Sequence, residues 1–451
     1  MSADRGQIPR EQWGTNTGFI LATIGSAVGI GNIWRFSYVA GENGGGAFLI
    51  VYGLSVILVG LPIVIGEMAL GRRGAADAVA AFTKGAPRSP WRYAGWVAVL
   101  GCVLILSFYA VVAGWALKYF TGAVSGALWQ AAGAGYGGYF REFVANPVAP
   151  IGWQCAMLVL TVWVVAGGVR AGIEAVNRIL MPLLALCIVV LAVYSATLPG
   201  SARGWQFLLS PDWSAVLTGK VLVAAIGQAF FSLGVGMAVF VTYSGYLPPG
   251  TRIPRAAITI AAGDTLFAIV AGLAIFPAVF AFGMDPAAGP ELAFITLPQI
   301  FLAMPYGKVV GIVFFGLLTA AALTSMMSLL EVPVASIVHR TRISRRRAAI
   351  LVGATAFALG IPSALSFGLF SGIQISGDGI FDFVNRAVSN YLLPLGGILV
   401  CLYTGWVLSR KEALSAAGLS GTTAGIIWYW LLRLVAPAMI LLVVLDTIGG
   451  L

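Results

Sequence analysis

The charges of this chain are kept far apart, and that spacing limits the fold more than any other feature. No Asp, Glu, Lys or Arg occurs between Glu11 and Arg35, Glu42 and Glu67, Arg92 and Lys118, Glu142 and Arg170, Arg178 and Arg203, or Lys220 and Arg252. After a segment around Asp264 the pattern resumes from Lys308 to Glu331, Arg347 to Asp378, Arg386 to Arg410, and Glu412 to Arg433 and beyond. A helix needs about 20 mostly apolar residues to cross the hydrocarbon core of a bilayer. Each run can therefore hold one crossing, and eleven are expected. None of the runs alternates with the period of two that a membrane β-barrel requires. The predicted fold is all-α and polytopic. A water-soluble enzyme is excluded, because 9% of the residues are charged against roughly 25% in soluble domains.

Eighteen of the 26 Lys and Arg fall on the N-terminal segment and on every second loop after it, including Arg72, Arg73, Arg170, Arg178, the Arg340 to Arg347 cluster, Arg410 and Lys411. The positive-inside rule then predicts a cytoplasmic N-terminus and, with an odd number of spans, an external C-terminus in the cell's inner (plasma) membrane. This topology accounts for most of the net charge of +10, so nucleic acid is not an expected partner. Residues 1–12 are polar and charged, with no apolar core ahead of a small-residue cleavage site. No removable secretory signal is expected there. Cys102, Cys155, Cys187 and Cys401 lie in apolar stretches without metal-type or redox-type spacing, which predicts buried thiols rather than a disulfide framework or a zinc site.

Two glycine clusters occupy matching places five spans apart: Gly25-Ser26-Ala27-Val28-Gly29-Ile30-Gly31-Asn32 in the first span and Phe231-Ser232-Leu233-Gly234-Val235-Gly236-Met237 in the sixth. An odd offset turns the second half upside down relative to the first, the pattern of inverted-repeat transporters whose interrupted helices line a site at the membrane midplane. Glycine lowers helix propensity by about 1 kcal/mol, and backbone groups freed in the membrane must find a substrate, an ion, water or another protein group. Unwound carbonyls suit a cation, and the helix N-terminus beyond a break suits a carboxylate. Close-packing glycines in a channel or a membrane enzyme remain the alternative at this stage. In the fifth span, Gly172 and Pro182 either loosen the cytoplasmic half or form a packed kink.

Three carboxylates fall inside spans: Glu67, Asp264 and Glu331. Each costs at least about 2.5 kcal/mol near the bilayer centre and so needs a partner. For Asp264 the expected neutraliser is a bound cation or a proton, with an ion pair to a basic side chain such as Arg35 as the alternative. Asn32, Ser232, Thr324 and Ser325 add oxygens suited to a hard cation, although each hydroxyl can equally bond its own helix backbone. With one histidine and no nucleophile-and-base set, an enzyme is not expected.

Arg10-Glu11-Gln12-Trp13, Gly25 to Phe36, Glu42 to Phe48, Pro62, Glu67, Gly71-Arg72, Gly227 to Ser232, Thr242-Tyr243 and Thr324-Ser325 together resemble the bacterial amino-acid:sodium branch of the neurotransmitter:sodium symporter family. The inverted-repeat pattern is itself known from this family. The resemblance covers nearly the whole chain. It implies a single transporter domain over 1–451, with a first five-helix repeat at 13–200, an inverted second repeat at 215–410 and an additional eleventh helix at 420–451. It also implies symport of an amino acid with two sodium ions. One ion would be held by Ala27, Asn32, Ser232, Asp264 and the substrate carboxylate, and the second by Gly25, Val28, Ala321, Thr324 and Ser325. The substrate carboxylate would meet the amides of Gly29 and Gly31 and the Tyr109 hydroxyl, with its ammonium near the carbonyls of Ala27 and Phe231. Ile105, Phe231, Gly234, Met237, Ser325 and Leu329 would surround the side chain.

Three positions depart from the family pattern. Asp264 stands where many relatives carry Asn and, near Tyr52, Gln228 and Ser232, where some use chloride; a fixed carboxylate there predicts chloride independence. The outer gate keeps Arg35 over an aromatic lid, but Asn385 replaces the usual acid, with Asp382 one turn away, which predicts a hydrogen bond rather than an ion pair. The inner gate keeps Arg10, but His339 stands at the usual acidic position, which predicts easier inward opening. Gly234 and the flexible Met237 predict a roomy pocket for aromatic or branched amino acids. The rival readings are a proton-coupled carrier and a non-transporting amino-acid sensor.

Overall fold

The computed structural model describes residues 11–74, 77–84, 89–131, 135–211, 213–216, 219–248, 250–285 and 292–449. Among them, nine helices are long and apolar enough to cross a membrane: α2 (Gly46–Gly74), α3 (Arg92–Ser125), α4 (Ala149–Ala166), α5 (Val169–Ala196), α7 (Ile253–Ala281), α8 (Gly307–Arg340), α9 (Arg345–Leu365), α10 (Ile380–Val407) and α11 (Thr423–Thr447). A tenth crossing is made of two pieces, α1a (Asn16–Ala27) and α1b (Gly31–Glu42), set at 53° to one another. The sixth in chain order is also divided, into α6a (Gly219–Leu233) and α6b (Val239–Gly245). Ten spans among the described residues are thus long and apolar enough to cross, and the shorter divided pair α6a and α6b stands at the sixth of the eleven places that the charge spacing predicts.

The interruptions fall on the two glycine clusters. In the first, Val28 is extended at φ −70°, ψ 99°. The Gly29 amide turns to the Asn32 side chain and the Ile30 amide to the Tyr109 hydroxyl, while the Asn32 amide reaches only the Gly29 carbonyl. The carbonyls four residues back, at Gly25, Ser26 and Val28, are thereby released from helical pairing. In the second cluster, Gly234, Gly236 and Ala238 all have positive φ, 67°, 89° and 55°. A side chain is disfavoured at such angles, which is why glycine holds two of the three positions.

The divided helices lie inside a scaffold of whole ones. The two longest, α3 and α8, pack along each other, and α5 packs against α7. Thr15 caps α1a by accepting the Gly18 amide at 2.9 Å. Outside the spans, a two-stranded hairpin, β1 (Gln374–Ile375) and β2 (Asp378–Gly379), turns at Ser376 and Gly377. The outer belt shows large apolar residues such as Leu54, Ile57, Leu100, Ile179 and Leu186, as lipid contact requires.

Two sequence expectations change here. Cys155 is exposed and Cys187 half-buried, so only Cys102 and Cys401 are buried thiols; the first two face outward from spans whose outer side meets lipid. Gly172 sits where a β-carbon would lie 2.0 Å from the Val164 carbonyl, while α5 runs on through Pro182. The close approach makes Gly172 a packing position.

Candidate functional site

The two breaks face each other and enclose a cavity of about 60 Å³ lined by Ala27, Gly29, Gly31, Asn32, Ile105, Tyr109, Phe231, Ser232, Gly234, Met237, Ser325 and Leu329, with Ser26, Phe108 and Ser328 among the remaining residues. The ten residues expected around the substrate, and Ser232 with them, thus border one space. Its glycines are steric requirements: a β-carbon on Gly29 would lie 2.5 Å from Ser325 Oγ and 2.9 Å from the Tyr109 oxygen, and one on Gly31 would lie 2.9 Å from the Phe231 ring. At Gly234 the neighbour is the Met237 methyl, 2.9 Å from the β-carbon position. The room expected there is filled by the end of a flexible chain.

One wall carries a polar cluster with no solvent exposure. Asn32 Nδ2 donates to Asp264 Oδ1 at 2.7 Å and to Ser232 Oγ at 3.0 Å, and Ser232 donates to Asp264 Oδ2 at 2.8 Å. Tyr52 donates to Ser232 at 3.3 Å, and Gln228 donates to the Gly31 carbonyl at 3.4 Å. Among the described residues no basic side chain pairs with Asp264. Arg35 instead lies 4.1 Å above the Phe231 ring, which removes the ion-pair alternative. On the opposite wall, Thr324 donates to the Ala321 carbonyl at 2.9 Å and Ser325 to the Ser26 carbonyl at 3.3 Å. Ser325 thus contacts the first break directly, while Thr324 bonds within its own helix.

Above the cavity, Arg35, Asp382 and Asn385 line one vestibule of about 380 Å³. The expected Arg35 to Asn385 hydrogen bond is not made: Asn385 Oδ1 accepts the Ser389 hydroxyl at 3.1 Å, and Arg35 Nη1 is buried without a partner. A cation–π contact takes its place, because Phe231 lies directly beneath the guanidinium.

Below the cavity, Arg10 lies outside the described residues. His339 is 3.8 Å from Asp77, which also pairs with Arg340 at 3.4 Å. This end is held by residues the sequence reading did not assign to a gate. Arg345 grips the buried Glu331 with both guanidinium nitrogens, lies 3.5 Å from Glu11 and donates to the Val165 carbonyl at 2.8 Å. Tyr246 donates to Glu331 at 2.8 Å, and Glu11 accepts the Val169 amide at 3.2 Å. An ion network therefore joins these elements at this end even with His339 at the acidic position. The one available signal was the unpaired Glu331 followed, one turn beyond its helix, by an arginine run. Glu67 is held differently: its Oε1 accepts the Gly236 amide at 2.6 Å inside the second break, while Oε2 is buried without a hydrogen-bond partner among the described residues. Also unforeseen was Glu174, which accepts the Gly14 amide at 2.6 Å and the Thr15 hydroxyl at 3.0 Å and so docks the start of α1a onto α5.

Opposed broken helices around a buried pocket, with polar side chains and freed backbone groups on its walls, define a secondary transporter of the inverted-repeat class. The profile of the Sodium:neurotransmitter symporter family matches residues 10–137 and 145–450. The uncharacterised sodium-dependent transporter YhdH of Bacillus subtilis (strain 168) is 42% identical over 442 residues, 97% of this chain and 98% of its own length. An uncharacterised sodium-dependent transporter of Haemophilus influenzae is 32% identical over 450 residues, at 97% and 98%. The crystal structure of MhsT in complex with L-phenylalanine matches with a TM-score of 0.91 at 50% identity, covering 97% of this chain and 100% of that one. The chain belongs to the sodium:neurotransmitter symporter family.

Proposed function

We propose that the protein is a sodium-coupled symporter of hydrophobic L-amino acids, aromatic or branched, that works by alternating access without chloride. The observation that carries this reading is Asp264: a fully buried carboxylate whose partners among the described residues are the neutral Asn32 and Ser232, which themselves line the cavity. A cation adjacent to it balances the charge and leaves no call for an added anion. The first sodium is assigned to Ala27, Asn32, Ser232 and Asp264, and the second to Gly25, Val28, Ala321, Thr324 and Ser325. The amino acid sits between them, its carboxylate towards Gly29, Gly31 and Tyr109 and its side chain among Ile105, Phe231, Gly234, Met237 and Leu329. The neighbour MhsT, solved with L-phenylalanine, supports this substrate class.

Arg35 over Phe231, with Asp382 and Asn385 nearby, forms the outer gate; Arg10 and the Arg345 network form the inner one. The repeats are taken as 13–200 and 215–410, with 420–451 as the additional helix, the N-terminus in the cytoplasm and the C-terminus outside the inner membrane. Because the sodium and the substrate carboxylate share one site, each raises the affinity for the other equally. Each net charge carried inward is worth about 2.3 kcal/mol per 100 mV.

Proteoliposomes loaded without sodium provide the test. An inward sodium gradient is expected to drive accumulation of labelled phenylalanine, tryptophan or leucine, unchanged when gluconate replaces chloride. Uptake driven by a pH gradient without sodium would identify a proton-coupled carrier, and binding without accumulation a sensor.

A further inference from the structure

A groove on the lateral, apolar surface, between α4 and α9, shares no lining residue with the transport site. It holds about 740 Å³ and is lined by Val159, Trp163, Ile350 and Phe357 along its length and by Arg346 at one end. Trp163 is 73% exposed, Val159 60% and Ile350 51%, so this apolar wall faces lipid. From Cys155 to Gly167 the groove follows roughly 18 Å of helix at about 1.5 Å per residue, little more than one leaflet of a core about 30 Å thick. Its polar end is strongly basic. Arg340 is paired with Asp77, and Arg345 with Glu331 and Glu11. Arg346 and Arg347 are exposed and have no acidic partner among the described residues.

We propose that this groove binds one anionic phospholipid of the cytoplasmic leaflet, its phosphate at Arg346 with Arg347 beside it, and an acyl chain along Val159, Trp163 and Ile350. Length and charge both select this occupant: the apolar wall matches one leaflet, and its end offers uncompensated positive charge where a phosphate lies. The neighbouring Arg345 bonds the Val165 carbonyl in the last turn of α4 and holds Glu331. A phosphate on Arg346 therefore fixes the α4 to α9 junction that the inner network depends on. The inference rests on the cytoplasmic placement of residues 340–347.

The test uses the full chain purified in neutral detergent, mixed with dioleoyl phosphatidylglycerol or dioleoyl phosphatidylcholine and read by native mass spectrometry. The protein is expected to retain phosphatidylglycerol at least five-fold better than phosphatidylcholine. The double variant Arg346→Ala, Arg347→Ala is expected to lose that preference while keeping sodium-dependent amino-acid binding. Ala354→Trp, which fills the apolar wall, is expected to reduce retention of both lipids. Equal retention of the two lipids by the unaltered protein, or unchanged phosphatidylglycerol retention in both variants, overturns the proposal. So does a dimer that Ala354→Trp dissociates, since the occupant is then a second copy. Impermeant maleimide labelling of Arg342→Cys in intact cells checks the topology separately: labelling from outside refutes the cytoplasmic placement, whatever the lipids do.

Discussion

Asp264 has both carboxylate oxygens bonded to neutral donors and no exposure to water, so its charge is left for a ligand to balance. Asp264→Asn removes that charge and keeps the shape. Sodium affinity, read as the concentration giving half-maximal uptake, is expected to weaken at least ten-fold, equivalent to about 1.4 kcal/mol, and the remaining uptake to become stimulated by chloride. The glycines of the second break differ in what they tolerate. A β-carbon on Gly236 would meet the Leu393 carbonyl at 2.4 Å and the Gly397 amide at 2.9 Å, backbone atoms that cannot step aside, at φ 89°. One on Gly234 would meet only the Met237 methyl. Gly236→Ala is therefore expected to lower thermal stability by more than the 1–3 kcal/mol of a strained backbone alone, and Gly234→Ala by clearly less. Met237→Phe replaces a bending thioether with a rigid ring and is expected to cut tryptophan uptake about ten-fold relative to leucine, as competition assays can measure.

At the scale of elements, the inner network ties Glu11, α4 and α8 to α9 through one guanidinium, and Tyr246, just past α6b, joins it through Glu331. Arg345→Ala leaves Glu331 buried without its partner, a change that costs about 3–5 kcal/mol in comparable pairs. A matching fall in thermal stability is expected, with the inner end loosened. Adding Glu331→Leu removes the stranded charge, so the double variant is expected to be more stable than Arg345→Ala alone; a double variant less stable than either single one would refute the pairing. The broken helices are held by borrowed bonds. Glu67, from α2, caps the second break at Gly236, and Tyr109, from α3, accepts the Ile30 amide of the first. Whole helices thus carry the polar requirements of divided ones.

For the whole molecule, the linkage between sodium and amino acid is open to equilibrium measurement: the factor by which sodium raises phenylalanine affinity should equal the factor by which phenylalanine raises sodium affinity. Unequal factors would show that the two do not share a site. The number of crossings, their helical character and the position of both breaks were legible in the sequence, because a bilayer imposes its demand on every short stretch of chain separately. A charge-free run or a glycine cluster answers that demand locally. The residues assigned to the site came instead from the resemblance to the family. Tertiary structure alone decided which partner each buried group takes: Gly236 for Glu67, Arg345 for Glu331, Phe231 rather than Asn385 for Arg35, and the outward turn of Cys155. These pairings join residues on different helices, and the packing that sets each side chain's direction leaves no periodic mark in the chain.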